Sequence, residues 1–307
     1  MTGLPDRLEA YLAMRRALGH RLEGQARHLG QFVSYMEKTG ASTVTSQVAL
    51  DWATGGDPTA GVIAVRLSAA RQFASYLRCF DEKTEVPDKH LMPGAPGRTT
   101  PYVFSGAEIA ALMAAAHRLT PRLRGASFET LIGLMAATGL RTSEALHLER
   151  ADVALDDAMI EVRWSKFGKS RLVPLHETTT EALRRYVRRR DRWSAPPASS
   201  AFFVTADGGP LGGTSVSRTF RRLLDACGIS AGPGKRAPRL HDLRHSFAVA
   251  TLLEWHAKGA DVRGQLPVLS TYLGHVSPFS TYWYLEATPE LLAVTAARLE
   301  RHLEKKP

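Results

Sequence analysis

The stretch LHDLRHSFA, residues 240–248, brings two histidines and an arginine close together. His241 and His245 are four apart, the spacing at which histidines on one helix face can bind zinc, and Asp242 stands where a metalloprotease helix carries its glutamate. Arg244 argues against zinc, because its permanent positive charge lies one residue from a proposed ligand of a dication. No third ligand is evident nearby in sequence, so the segment predicts no metal site.

His241 and Arg244 form a more informative pair, because residues three apart share one face of a helix. An imidazole beside a guanidinium is well suited to binding two oxygens of one phosphate. The simpler alternative, a histidine at a helix start and an arginine in a surface ion pair, would be preferred if the pair stood alone. Other stretches of the chain, however, carry residues suited to the same chemistry.

Two of these stretches supply further cations. TGLRTSE sets Arg141 just past Gly139, which ends a predicted helix, on a turn where the guanidinium can project into a cleft. Glu144 follows one helical turn later and can orient Arg141. SKFGKSRLVPL places Lys166 at the tip of a predicted β-hairpin. Each residue alone has an ordinary surface interpretation, but together they favour phosphate chemistry.

A third stretch, LGHVSPFSTYWYL, contributes His275 and two tyrosines, Tyr282 and Tyr284. A phenol is a nucleophile that can attack phosphorus when positioned donors stabilise the developing charge. Side chains two apart on a helix point about 200° away from each other, so only one of the two tyrosines can face a common site.

In this order, the motifs TGLRTSE, SKFGKSRLVPL, HDLRHSFA and LGHVSPFSTYWYL resemble the tyrosine recombinase family, also called phage-type integrases, which has Xer-like and transposon-encoded members. The resemblance covers most of residues 100–290. The active-site set that it implies consists of Arg141, Lys166, His241, Arg244, His275 and Tyr284. The family spacing selects Tyr284, nine residues after His275, as the nucleophile, and leaves Tyr282 as a packing or surface residue. Alignment to the family favours Lys166 over its neighbour Lys169 as the general acid.

The resemblance implies a site-specific DNA recombinase of the integrase or transposase type. Such an enzyme cleaves and rejoins DNA through a 3′-phosphotyrosyl intermediate and needs neither metal nor ATP, so no cofactor is expected. The sequence agrees, since it offers no paired carboxylates suited to two-metal chemistry and no G-x-x-x-x-G-K-[ST] loop. Two alternatives stay open, a type IB topoisomerase that relaxes DNA and a non-catalytic DNA-binding regulator built on the same scaffold.

The elements that must position these residues predict a mostly α-helical protein of two domains within 307 residues. Residues 1–90 are expected to form a helical bundle resembling the family's core-binding, SAM-like domain, and residues 91–103, rich in proline and glycine, a linker. Residues 104–307 are expected to form a mainly α catalytic domain with a small antiparallel sheet, whose strands MIEVRW and SRLVPL flank SKFGK. Ser105 and Glu108 predict a capping box at its first helix.

The charge distribution predicts a nucleic-acid partner. The net charge is +10, with 40 Lys and Arg against 30 Asp and Glu, and most of the excess lies after residue 95. This balance favours a polyanion such as nucleic acid, and the resemblance implies that the partner is double-stranded DNA carrying specific recombination sites. The candidate DNA contacts are Arg218, Arg221, Arg222 and Lys169, together with the strip RRYVRRRDR, although a charged strip is often only a solvated helix face.

The tail TPELLAVTAARLERHLEKK predicts an amphipathic helix. Relatives in the family often dock this segment on a neighbouring protomer, so the resemblance implies a homotetramer on DNA, with partner recombinases as further candidates. No apolar run is long enough to span a membrane and the first residues carry charges throughout, so a cytoplasmic, DNA-associated protein is expected. Cys79 and Cys227 predict no disulfide framework.

Overall fold

The computed structural model describes residues 3–20, 22–92, 100–163, 170–194, 199–232, 235–275, 277 and 281–282. The chain divides into two compact units between residues 99 and 100. The protein is mostly helical with one small antiparallel sheet, as the sequence predicts. No helix in the described ranges is long and apolar enough to cross a membrane.

The first unit is built from four helices, α1 (Leu4–Ala17), α2 (Glu23–Thr39), α3 (Ser46–Thr54) and α4 (Ala60–Leu77). α2 ends where Gly40 adopts a left-handed conformation, and the side chain of Thr45 accepts a hydrogen bond from Val48 N–H at the start of α3. The helices pack on a shared apolar core that includes Phe32 and Phe73. The apolar spacing of the sequence predicts helices in LEGQARHLGQFVSYMEKTG, TSQVALDWAT and TAGVIAVRLSAARQFASYLRCF, which correspond to α2, α3 and α4, but it does not mark α1.

The second unit contains a short 3-10 helix (Arg150–Asp152) and seven described α-helices, α5 (Gly106–His117), α6 (Arg122–Thr138), α7 (Thr142–Leu146), α8 (Glu177–Trp193), α9 (Gly213–Ala226), α10 (Asp242–Ala257) and α11 (Val262–Leu273). The predicted capping box is present at α5, where the Ser105 hydroxyl accepts a hydrogen bond from Glu108 N–H and Glu108 accepts one from Ser105 N–H. The sequence pattern predicts a helix in SFETLIGLMAATG, from Ser127, whereas α6 begins five residues earlier, at Arg122. Its buried face, which includes Phe128 and Leu131, forms the centre of the unit's main apolar core.

The sheet has three strands in the order β1 (Val153–Ala154), β2 (Met159–Val162) and β3 (Arg171–Pro174). β2 and β3 are antiparallel, with Val162 opposite Arg171, which bears out the predicted hairpin. β1 is an additional short strand that was not predicted. The hairpin tip, including Lys166 and Lys169, lies outside the described residues.

Both ends of the predicted linker pack against the unit that they adjoin. Leu91 and Met92 lie against the core of the first unit, and Tyr102 lies against the core of the second. The N–H of Phe104 donates to the Ser246 hydroxyl at 2.8 Å in a buried contact, which ties the start of the second unit to α10. Residues 93–99 lie outside the described residues.

Candidate functional site

Arg141 lies on the turn that the sequence predicts. α6 ends at Gly139, whose φ of +61° is left-handed, and a Cβ at this position would lie 2.5 Å from the ring of Phe247. Only glycine suits both the backbone and the space, so the chain can turn sharply between α6 and α7. Arg141 immediately precedes α7 and presents its side chain beside this turn.

Glu144 is a buried carboxylate held between two guanidinium groups. Its Oε1 accepts from Arg141 Nη1 at 2.6 Å and from Arg171 Nη1 at 3.0 Å. Its Oε2 accepts from Arg171 Nη2 at 2.8 Å and from the Arg141 backbone N–H at 3.0 Å. Burial alone would raise the pKa of Glu144, but the hydrogen bonds and charges of Arg171 and Arg141 outweigh it and lower the pKa to about 2. Glu144 therefore stays ionised throughout the neutral range.

Arg244 is almost completely buried, with 2% of its surface exposed. Its Nη1 donates to Gly139 O at 2.7 Å and its Nη2 to Leu273 O at 2.6 Å. The alternative in which Arg244 forms a surface ion pair is therefore wrong. Arg244 instead joins the end of α6 to the end of α11. The two hydrogen bonds hold its planar guanidinium group in one orientation.

Three consecutive carbonyls at the end of α11 each accept a hydrogen bond from a different arginine. Tyr272 O accepts from Arg171 Nε at 2.9 Å, Leu273 O from Arg244 Nη2 at 2.6 Å and Gly274 O from Arg141 Nη2 at 2.6 Å. Carbonyls in the last turn of a helix have no partner within the helix and carry its partial negative charge. The end of α11 is thus the common anchor of the three guanidinium groups.

His241 immediately precedes α10 and keeps an exposed edge. The burial of the rest of the ring, and then the charge of Arg244, lower the pKa of His241. The neutral imidazole is favoured, which can either accept or donate a proton. His241 and Arg244 thus lie together, as their spacing predicts.

His245 and Asp242 are used in packing around the start of α10. The His245 ring lies edge to face against His241, with centroids 5.2 Å apart. Burial, followed by the charges of its neighbours, lowers the pKa of His245 to about 3. The Asp242 carboxylate accepts from Arg236 Nη2 at 2.9 Å and from Arg239 N–H at 2.8 Å, which fixes the loop before the helix. Among the residues that the structure describes, no group of three His, Cys, Asp or Glu is placed to hold a metal.

His275 follows the left-handed Gly274 that ends α11, and its Nδ1 lies 2.7 Å from the Thr281 hydroxyl. Arg141, His241, Arg244 and His275 are together termed the arginine–histidine cluster. They come from three segments, namely the turn after α6, the start of α10 and the end of α11. Tyr282 is 42% exposed. Tyr284, Lys166, Lys169 and the predicted tail helix lie outside the described residues.

The candidate DNA contacts differ in their surroundings. Arg218, Arg221 and Arg222 are exposed on α9. Several arginines of the α8 strip, in contrast, have partners within the protein. Arg184 donates to Leu155 O at 2.9 Å, and the buried Arg190 donates to Phe202 O at 3.2 Å. These contacts favour a role in stabilising the fold for that part of the strip.

Arg171 is the residue of this site that sequence reasoning missed. It stands in the quoted motif SKFGKSRLVPL, but its position at the start of a strand gave it no distinguishing feature. Its side chain is 13% exposed and reaches Glu144 and Tyr272 O. The available signal was a cation next to apolar strand residues. A charge buried among such residues requires a partner, so this position indicates an ion pair inside the protein.

The arrangement offers several fixed donors from cationic groups beside a neutral histidine, which suits an oxyanion such as a phosphate. The phage integrase family model matches residues 103–290. The chain is 38% identical to y4rB of Sinorhizobium fredii, named as a candidate integrase/recombinase, over 99% of both chains. It is 33% identical to the tyrosine recombinase XerD of Caulobacter vibrioides, over 74% of this chain and 71% of that protein.

The fold is similar to that of XerH, a site-specific recombinase crystallised on its palindromic difH substrate in a post-cleavage complex. The TM-score is 0.63, with 21% sequence identity over 90% of this chain and 79% of the XerH chain. At 21% identity, this similarity shows only that the two folds are alike.

Proposed function

Because the chain belongs to the phage integrase family and is a site-specific tyrosine recombinase, we propose that it cleaves and rejoins DNA through a covalent 3′-phosphotyrosyl intermediate. The proposal rests on the geometry of the arginine–histidine cluster. Its two guanidinium groups are held by backbone carbonyls and lie beside an exposed edge of His241. Donors fixed in this way suit the charge that develops on a phosphate under attack.

In this proposal, Arg141 and Arg244 bind the non-bridging oxygens of the scissile phosphate. Each guanidinium has five N–H donors in a planar fork, which can meet backbone carbonyls and a phosphate at once. His241 and His275 add hydrogen bonds and help to accept or place a proton. Glu144 orients Arg141 through the ion pair between them.

Tyr284 is the proposed nucleophile and Lys166 the proposed general acid. The phenol oxygen of Tyr284 forms a bond to phosphorus while the bond to the deoxyribose 5′-oxygen breaks, and Lys166 gives its proton to that oxygen. The product is a tyrosyl phosphodiester and a free 5′-hydroxyl. The reverse reaction with another 5′-hydroxyl rejoins the strand, so neither metal nor ATP enters the scheme.

The proposed partner is double-stranded DNA with specific recombination sites. We assign DNA binding to both units, with residues 1–90 as a core-binding module and with Arg218, Arg221 and Arg222 of α9 as phosphate contacts. The exposure of these arginines and the net charge of +10 support the assignment. A tetramer joined through the C-terminal segment is the proposed assembly on DNA, and a tetramer on site DNA should be lost in a chain ending after residue 288.

A nicked suicide duplex tests the proposed reaction. DNA from the flanks of the gene and a pool with a randomised core are incubated with the protein in chelator, and covalent adducts are sought on a denaturing gel. The wild type and Tyr282→Phe should form the adduct, and Tyr284→Phe should form none. An adduct that persists in Tyr284→Phe would refute the assigned nucleophile. Absence of an adduct in the wild type would favour a non-catalytic regulator, and plasmid relaxation without partner exchange would favour a topoisomerase.

A further inference from the structure

Arg171 links its own strand to two other segments of the second unit, α7 and the end of α11. It begins β3, the strand that follows the hairpin tip, and its Nη1 and Nη2 donate to the two oxygens of Glu144 at 3.0 and 2.8 Å. Its Nε donates to Tyr272 O at 2.9 Å. A Cβ on Gly274 would lie 2.9 Å from Arg171 Nη1, so the backbone before His275 lies directly against the guanidinium.

The charges around Glu144 explain why a second arginine is needed there. Glu144 lies with 4% of its side chain exposed and bonds to Arg141, one of the proposed phosphate ligands. A buried carboxylate facing Arg141 alone would cancel the charge of that arginine. With Arg171 on the other side, Arg141, Arg171 and Arg244 against one Glu144 leave a net charge of two positive units. A pentacoordinate phosphorane carries two negative charges on its non-bridging oxygens, so the charges are balanced.

We propose that Arg171 is a positioning residue for DNA cleavage, which neutralises Glu144 so that Arg141 keeps its charge and its orientation toward the scissile phosphate. The inference rests on the proposed function, because it takes a DNA phosphate as the anion. Arg171 itself does not touch the reacting atoms. Its contact with Tyr272 O also fixes the backbone that leads to His275.

A double variant distinguishes this charge-balancing role of Arg171 from a purely structural one. Arg171→Gln leaves Glu144 to pair with Arg141 alone, and the site loses one positive charge. We expect the rate of adduct formation to fall by about 10- to 100-fold, where the upper limit is the loss expected if Arg141 no longer served as a fixed donor. In Arg171→Gln/Glu144→Gln the carboxylate is also removed, and Arg141 and Arg244 restore two positive units. Because the net charge is restored, the double variant should cleave at least about 10-fold faster than Arg171→Gln.

Two further variants separate charge from folding. Arg171→Lys keeps the charge but cannot bind both carboxylate oxygens and Tyr272 O together, so its rate should lie between those of the wild type and Arg171→Gln. Arg190→Gln is the matched control. Arg190 has 10% of its side chain exposed and donates to Ala201 O and Phe202 O. Its loss should lower the melting temperature without a comparable loss of cleavage.

Inorganic phosphate gives a second measurement that does not depend on cleavage. Phosphate should raise the melting temperature of the wild type and of the double variant above the value in chloride at equal ionic strength, and should have less effect on Arg171→Gln. A double variant that is no faster than Arg171→Gln and gains no phosphate stabilisation would overturn the inference. So would an Arg171→Gln protein within threefold of the wild type. If the wild type itself forms no adduct, the proposed function fails, and the phosphate series still decides whether Arg171 sets the charge of the site.

Discussion

Replacement of Arg244 by lysine should separate the two roles of this buried arginine. The Arg244 fork joins Gly139 O to Leu273 O, at 2.7 and 2.6 Å, and the shorter ammonium group of a lysine cannot reach both carbonyls. One charged hydrogen bond is lost, which corresponds to about 1.5–3 kcal/mol. The protein should still fold, because the positive charge and most of the buried volume remain.

Arg244→Lys should have a larger effect on cleavage than on binding. A planar donor to the transition state is removed, at a cost of about 3 kcal/mol or roughly 100-fold or more in rate. DNA affinity rests on many phosphate contacts, so the dissociation constant should change by less than about tenfold. The measurements are adduct formation on the suicide duplex in chelator, fluorescence anisotropy with the same DNA, and denaturant unfolding.

Arg244→Ala extends the series, because it leaves both carbonyls without this donor. Its unfolding free energy should fall by about 2–6 kcal/mol, and cleavage should be lost. A folded Arg244→Lys protein that cleaves within tenfold of the wild type would refute the assigned role. Equal losses of DNA affinity and cleavage rate would refute the claim that the donor acts on the transition state.

Three other predictions concern the surroundings of the cluster. Gly139→Ala should lower the unfolding free energy by about 2–5 kcal/mol, from left-handed strain and a displaced aromatic ring, whereas Gly259→Ala, with φ +70° and nothing within 4 Å, should lower it by only about 1–2 kcal/mol. Folding lowers the pKa of His245 from 6.5 to about 3, so the folded protein holds this histidine neutral. The contribution of the neutral His245 to the free energy of unfolding is fully present above pH 6.5 and is lost as the pH falls toward 3. Between pH 6.5 and 5 the unfolding free energy of the wild type should therefore fall by up to about 2 kcal/mol more than that of His245→Asn, as measured by denaturant unfolding. Parallel pH profiles for the two proteins would contradict this. A sulfur leaving group, which needs no proton, should rescue cleavage by Lys166→Ala, and rescue of Lys169→Ala instead would exchange their roles.

Local signals predicted the parts of the fold that depend on neighbouring residues. Gly139 marked the end of α6 because a left-handed residue is needed there, and Ser105 with Glu108 marked the start of α5. α1 was missed although Leu8, Tyr11 and Leu12 are its buried residues at helical spacing, because charges interrupt the pattern throughout. Only the start of α6 was inaccurate, because the apolar pattern was recognised from Ser127 onward while the helix begins at Arg122.

Long-range contacts account for what the sequence could not predict at the site. The types of residue suggested Arg141, Glu144 and Arg244, but the partners of Arg244 are carbonyls 105 and 29 residues away. Arg171 pairs with Glu144 across 27 residues and with Tyr272 across 101. Backbone carbonyls have no residue type, so no motif records them as partners. The same limit applied to the α8 strip, where pairing within the protein replaced the predicted solvated or DNA-contacting surface for some arginines.

The anchoring of three arginines at the end of α11 has a consequence for the order in which the protein gains activity during synthesis. Arg141 and Arg171 leave the ribosome well before Tyr272, Leu273 and Gly274, whose carbonyls hold them in the folded protein. Closing contacts across more than one hundred residues is slow compared with forming single helices. A partly synthesised chain therefore has the basic residues that attract DNA before it has a rigid site that could cut it.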